Sequence, residues 1–250
     1  MCIDCGCGPA EASHHHHDHK HDHDGKTVKI EEDLLAKNNR LAGNNRQLFA
    51  DKELFVLNLV SSPGSGKTSI LERTLSDLKE EICFAVLEGD QQTANDADRI
   101  AATGVPALQI NTGTGCHLDA HMVGHGVETF DLNATDLLMI ENVGNLVCPA
   151  SFDLGEDFKV AVLSVTEGED KPLKYPQMFR AAKMMLINKI DLLPHLRFDV
   201  EKCKAFARQV NPEITILELS CHSGEGMEAW YTWLRQGVAG KKAAADSKGA

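Results

Sequence analysis

From residue 54 onward the chain alternates short apolar runs with amphipathic stretches. The runs at 54–60, 82–87, 107–110, 137–140, 160–165, 184–187 and 214–219 are apolar on both faces. Such runs predict strands buried inside a parallel sheet. Between most of them, apolar positions recur on a helical period, at 68–79, 96–102, 117–130, 201–210 and 226–236. Strand and helix in alternation imply βαβ crossovers and a doubly wound, mostly parallel sheet covered on both faces. In such sheets ligands bind beyond the carboxyl ends of the strands. Ahead of this body, residues 29–50 predict a helix with Ile30, Leu34, Leu35, Leu41 and Leu48 on a loose helical period. Residues 1–26 hold almost no large hydrophobe and predict a disordered Cys/His-rich tail. The α/β domain is therefore expected over 27–240, with a frayed tail at 241–250.

Charge narrows the range of partners. Lys plus Arg number 25 against 37 for Asp plus Glu, a formal net charge of −12. A protein that neutralises a phosphate backbone needs a basic face, so nucleic acid is excluded as a partner. No apolar run is long enough to span a membrane. The N-terminus lacks the basic start and apolar stretch of a secretory signal, so the chain is expected in the cytoplasm. The chain has eight cysteines, and in a reducing compartment their placement suggests ligands rather than disulfides. Cys83, inside an apolar stretch, is expected to be a small buried residue. Cys203 falls in a charged helical pattern, and neither of these two has an assigned role.

The first apolar run leads into Ser61-Ser62-Pro63-Gly64-Ser65-Gly66-Lys67-Thr68 and then a helical pattern. Gly64 and Gly66 allow backbone amides to turn inward, and the helix N-terminus favours an anion. Lys67 can reach terminal phosphates and Thr68 can offer its hydroxyl to Mg²⁺. Ser65 and Ser69 complete the expected phosphate contacts. Ser61 departs from the general loop pattern, which has Gly at that position. Asn188-Lys189-Ile190-Asp191 follows the apolar run 184–187 and resembles the guanine-specificity motif of GTPases. A carboxylate at Asp191 would accept from guanine N1–H and N2–H, donors that adenine lacks. Lys189 can pack on the base, Asn188 can brace the loop, and Ser220-Cys221 after the last run lies where a second base-contacting loop is expected.

Acids end two further runs, in Glu88-Gly89-Asp90 and Glu141-Asn142-Val143-Gly144-Asn145. Asp90 is expected to hold Mg²⁺ or the attacking water, with Asp96 in reserve, and Glu141 to bind the magnesium shell. The amide of Gly144 would sense the γ-phosphate. Each acid could instead cap the helix that follows it. No arginine finger is evident in the loop, so intrinsic hydrolysis should be slow.

Transition-metal chemistry enters with Cys116-His117 and Cys148. Imidazole with thiolate suits zinc or nickel. On one continuous helix His117, His121 and His125 would share a face. Because Cys148 lies close in sequence to Gly144, metal affinity and nucleotide state would be coupled. At the N-terminus Cys2, Cys5, Cys7 and a free amine could form a square-planar Ni²⁺ site. Seven of the twelve histidines fall between His14 and His23 as a looser metal store.

Together Cys-x-x-Cys-Gly-Cys, the His-rich tract, Ser-Ser-Pro-Gly-Ser-Gly-Lys-Thr, Glu-Gly-Asp-Gln, Gly-Cys-His-Leu, Glu-Asn-Val-Gly-Asn-Leu-Val-Cys-Pro and Asn-Lys-Ile-Asp resemble the HypB-type hydrogenase maturation GTPases. The resemblance runs over essentially the whole chain. It implies a P-loop NTPase of the signal-recognition and MinD class, and a homodimer promoted by GTP and metal. It further implies a HypA-type nickel and zinc metallochaperone as partner, and nickel delivery to the large-subunit precursor of [NiFe]-hydrogenase. By position Cys116, His117 and Cys148 match the family's inner metal site, and Cys2, Cys5 and Cys7 its N-terminal nickel site. His121 and His125 are weaker matches. Two rivals are a urease-type nickel-insertion GTPase and a nickel store with a vestigial nucleotide fold. A small-metabolite kinase would need an acceptor pocket of which the sequence gives no sign.

Overall fold

In the computed structural model the described residues are 23–90 and 95–246, so the expected ligands Cys2, Cys5 and Cys7 and the tract ahead of His23 lie outside them. Two units separate, residues 1–34 and a compact unit from Leu35 onward. Its centre is one seven-stranded sheet of order β3-β2-β4-β1-β5-β6-β7, parallel at every pairing. The strands are β1 Phe55–Ser61, β2 Phe84–Asp90, β3 Ala107–Asn111, β4 Leu137–Glu141, β5 Phe158–Ser164, β6 Ala182–Asn188 and β7 Thr215–Glu218. All seven expected strands are present. Every residue of β1 and β4 is buried, which is why their sequences lack a polar face.

The helices are α1 His23–Asp51, α2 Lys67–Leu78, α3 Asn95–Ala101, α4 Ala120–Gly126, α5 Cys148–Ser151, α6 Lys171–Lys174, α7 Pro176–Ala181, α8 Val200–Val210 and α9 Met227–Asp246. On one face of the sheet α2 and α9 pack through Ile70, Leu71, Leu75, Trp230 and Leu234. The fully buried Trp230 donates its indole N–H to Thr74 Oγ1 at 3.0 Å, so its one polar atom is satisfied. From Leu35 on, α1 buries Asn38, Ala42, Asn45 and Phe49, a stripe at helical spacing. Its amides work on loops: Asn45 Nδ2 donates to Ala120 O and Leu154 O, and Asn38 Oδ1 accepts from Ala120 N.

Several expectations are corrected. The segment 117–130 is not one helix. Asp119 caps a new start by accepting from Met122 N at 2.8 Å, so His117 precedes α4 and cannot share a helical face with His121 and His125. Leu34, one of the residues on the loose helical period of α1, is 57% exposed. Cys83 is exposed, because β2 begins only at Phe84. The C-terminal segment is helical to Asp246, where good helix formers are assisted by ion pairs from Lys241 to Asp157 and Lys242 to Asp136. At the other end α1 begins at His23, slightly ahead of the domain start expected at residue 27, and the expected tail before it lies outside the described residues. No helix of the described residues is long and apolar enough to cross a membrane.

Candidate functional site

The loop 62–66 joins β1 to α2 beside the point where the chain changes direction across the sheet, between β4 and β5. Gly66 has φ 95°, and a Cβ there would lie 2.5 Å from Asn188 Nδ2, so glycine is required on both counts. Ser61, the departure from the loop pattern, is accommodated as the last residue of β1, with its hydroxyl donating to Ser62 O at 2.7 Å. Behind the loop Ser65 Oγ donates to Ser62 O and Glu167 Oε1, while Lys171 pairs with Glu167 and donates to Ser62 Oγ. Neither Glu167 nor Lys171 was expected at the site, because no motif marks them.

A cavity of about 300 Å³ lies over this loop, lined among others by Gly64, Lys67, Thr68, Asp90, Asp96, Glu141 and Gly144. The structure thus brings Lys67, Thr68, Asp90, Asp96, Glu141 and Gly144 to one cavity, while Ser69 lines the neighbouring one. Glu141 accepts from Thr68 Oγ1 at 2.8 Å and lies 3.7 Å from Lys67 Nζ. Its other oxygen is buried without a partner. Burial holds the Glu141 carboxyl above its ordinary range, against the pull of Lys67 and Thr68. Glu88, directly across from it on β2, is 2% exposed and pushed up to about 8 by burial first, then by Glu141, Asp90 and Asp96. The Glu-Gly-Asp segment stands out in the sequence, but only Asp90 carried an expected role. A hydroxyl, clustered carboxylates and orphaned buried oxygens form a hard-oxygen donor set of the type that Mg²⁺ takes.

Next to it a cavity of about 620 Å³ is lined by Ser69, Arg73, Lys189, Asp191, Ser220, Cys221 and others. Asp191 Oδ1 is buried with no hydrogen-bond partner, a defect that an incoming donor would repair. Asn188, fully buried, donates from Nδ2 to Ser65 O at 3.0 Å while its Oδ1 accepts from Lys189 N and Cys221 N. It therefore ties the loop 62–66 to the loops that follow β6 and β7. Lys189 stands in the left-handed region at φ 65° and donates to Gly64 O at 2.7 Å. Burial raises the Cys221 thiol. Arg99 from α3 also lines this cavity, donating to Glu72, Ser69 and Asp96.

Cys116, His117 and Cys148 meet at a third place. The two Sγ atoms are 2.7 Å apart, both thiols are free, and Cys116 Sγ lies 3.6 Å from His117 Nδ1. All three ligand atoms fall within 4.8 Å of one another, close enough for one ion. Burial lowers the His117 imidazole, which favours the neutral ligand form, and its ring packs on Phe152. The Cys116 thiol is pushed up to about 11, by burial first and then by its hydrogen bond to Cys148. His121 and His125 are not part of this cluster. Both are exposed on α4, with ring centroids 4.5 Å apart.

The loop between Glu141 and Cys148 spans two of these places. Gly144 abuts the phosphate loop, since a Cβ there would sit 3.2 Å from Pro63 Cα. One residue on, Asn145 Nδ2 donates to Cys116 O at 3.4 Å and its Oδ1 accepts from Val147 N. Asn142, buried, accepts from Leu118 N at 3.0 Å. Both sides of the Cys/His cluster are thus pinned to the loop that touches Pro63.

A model of the CobW/HypB/UreG nucleotide-binding domain matches residues 55–218. The hydrogenase maturation factor HypB of Azotobacter vinelandii is 64% identical over 211 residues, 84% of this chain and 70% of its own length. This chain belongs to the HypB family of hydrogenase maturation factors. The hydrogenase/urease maturation factor HypB of Helicobacter pylori is 43% identical over 213 residues, 84% of this chain and 87% of its own. Among solved structures HypB from Archaeoglobus fulgidus matches with TM-score 0.77 at 42% identity, covering 81% of this chain and 99% of its own. HypB from Helicobacter pylori in complex with nickel matches with TM-score 0.77 at 41% identity, covering 81% and 95%. The signal recognition particle 54 kDa protein of Aeropyrum pernix, at TM-score 0.51 and 13% identity, shares the fold. The expected P-loop architecture is therefore borne out, and so is the family.

Proposed function

We propose that this chain is a GTP-hydrolysing nickel metallochaperone, in which nucleotide state controls a Cys/His nickel site during hydrogenase maturation. The observation that carries the proposal is the short loop 142–148, with Gly144 against the phosphate loop and Cys148 in the metal cluster. A γ-phosphate that displaces Gly144 would displace Asn145 and with it the backbone of Cys116. Because coupling free energy is reciprocal, bound metal would alter nucleotide affinity by the same factor.

Guanine is selected by Asp191, whose buried unpaired oxygen accepts from the base, while Asn188 fixes the loop geometry and Ser220-Cys221 closes the other side. Lys67 and the amides of Gly64 to Ser69 hold the phosphates at the start of α2. Thr68, Glu141, Asp90 and Asp96 would hold Mg²⁺, which supplies charge neutralisation to the leaving phosphate. Hydrolysis then depends on positioning: Asp90 orients water, and Gly144 reads the γ-phosphate. Intrinsic turnover is slow.

Two thiolates and a neutral imidazole suit nickel or zinc as cargo. Three protein ligands leave a fourth position open, which water or a second copy of the chain could fill. Val147, adjacent to Cys148, is 57% exposed beside a cleft formed with Leu146, Tyr175 and Pro176, consistent with a homodimer formed at the metal. Cys2, Cys5 and Cys7 add a nickel site of their own, fed by the histidine tract. A HypA-type chaperone and the hydrogenase large-subunit precursor are the partners, in the cytoplasm. The urease-type reading keeps one support, the joint hydrogenase/urease name of the Helicobacter pylori relative.

The test is complementation of a strain lacking this gene by wild type, Lys67→Ala and Cys148→Ala, assaying hydrogenase and urease in parallel. Loss of hydrogenase activity with both variants, restored by excess nickel, is the expected outcome. Full activity with Lys67→Ala would identify a nickel store, and loss of urease alone would move the target.

A further inference from the structure

Two carboxylates side by side inside a fold cost stability unless a cation joins them. Glu88 and Glu141 are such a pair. They are register partners on β2 and β4, 2% and 3% exposed. Each keeps one oxygen buried without a hydrogen-bond partner. Glu141 has Thr68 and Lys67 beside it, but among the described residues no ion pair reaches Glu88. The charged groups acting on Glu88 are Glu141, Asp90, Asp96 and Lys67, and all four line the cavity over the phosphate loop. Packing alone would favour an apolar residue here. Val86, two positions earlier on the same face of β2, is one, and it packs in the core with Ile100.

We propose that Glu88 is a further carboxylate of the cation shell, accepting hydrogen bonds from water held on the magnesium ion with Glu141 beside it. This rests on reading the cavity as a magnesium-nucleotide site. Glu88 acts through bound water and is therefore a positioning residue. Burying this pair makes Glu88 costly to keep in the metal-free protein, and the arriving dication offsets that cost. That makes two demands which a merely structural glutamate would not meet. Neutralising Glu88 must weaken the response to magnesium, and it must also stabilise the metal-free fold.

The experiment uses the full chain as wild type, Glu88→Gln and Glu88→Asp. A fluorescent GDP reports affinity in EDTA and the slowing of GDP release as Mg²⁺ is added, and melting is recorded in EDTA. For Glu88→Gln the half-saturating Mg²⁺ concentration should rise about tenfold, as is typical for loss of an outer-shell ligand partner. Glu88→Asp should recover part of that. Affinity in EDTA should stay near wild type, and the metal-free Glu88→Gln protein should melt higher than wild type. An unchanged Mg²⁺ response in Glu88→Gln, against a magnesium-dependent wild type, overturns this assignment alone. A fall in both melting temperature and EDTA affinity would make Glu88 a structural residue and overturn it equally. A wild type whose GDP release ignores Mg²⁺ would overturn the site reading beneath it as well.

Discussion

Replacing Asp191 by Asn is the sharpest probe of the base pocket. The side chain keeps its size, and Oδ1 is buried without a hydrogen-bond partner, so the change acts on the ligand rather than on the fold. Guanine would offer N1–H and N2–H to a charged acceptor, and hydrogen bonds to charged groups contribute about 1.5–3 kcal/mol each. Asn retains at most one acceptor and turns an amide donor toward the base. The loss is therefore at least one charge-assisted bond plus a donor–donor contact, about 3–4 kcal/mol, or roughly 10²–10³-fold in GDP affinity. ADP lacks those donors and should bind both proteins equally weakly. XDP carries a carbonyl where guanine has its amino group and should gain affinity on the same substitution. Displacement of a fluorescent nucleotide measures all three ligands on both proteins. A loss below about fivefold for GDP, or a parallel loss for ADP, would refute the assignment of Asp191 to guanine recognition.

Other predictions follow the same geometry. Gly66→Ala forces φ 95° onto a residue with a Cβ lying 2.5 Å from Asn188 Nδ2. It should cost roughly 1–3 kcal/mol in chemical denaturation and abolish nucleotide binding. Nickel affinity at the inner site should rise with pH at about two protons released per ion between roughly pH 6.5 and 8, because Cys116 and Cys148 must ionise while His117 is held neutral. The lowered His117 value means that its neutral form persists as pH falls, so a slope near three would contradict the burial argument. His121→Ala/His125→Ala should leave inner-site affinity within about twofold, as competition titration would show. A loss of tenfold or more would restore the single histidine stripe that Asp119 interrupts.

Most of the architecture could be read from hydrophobic runs because a parallel sheet covered on both faces needs strands apolar on both sides. The phosphate loop and Asn188–Asp191 were visible because they are local in sequence, strand followed by loop followed by helix or turn. What was hidden is non-local. That Glu88 faces Glu141 depends on β2 pairing with β4, a pairing no periodicity reveals. Glu167 and Lys171 reach the phosphate loop from beyond β5. The helix break after His117 has a local cause, since Asp119 stands in a good capping position. The helix continuing to Asp246 was missed because its anchors, Asp136 and Asp157, lie far away in sequence. Helices α5, α6 and α7 are too short to carry an apolar period.

In the proposed function, coupling through one short loop makes the metal site answer to the nucleotide. It is tested most directly by titrating Ni²⁺ into the Cys2→Ala/Cys5→Ala/Cys7→Ala protein, loaded with GDP or with a non-hydrolysable GTP analogue. The inner-site affinities should differ by about fivefold or more, and the difference should collapse in Asn145→Ala, which cuts the hydrogen bond to Cys116 O. Equal nickel affinities in the two nucleotide states would contradict the account.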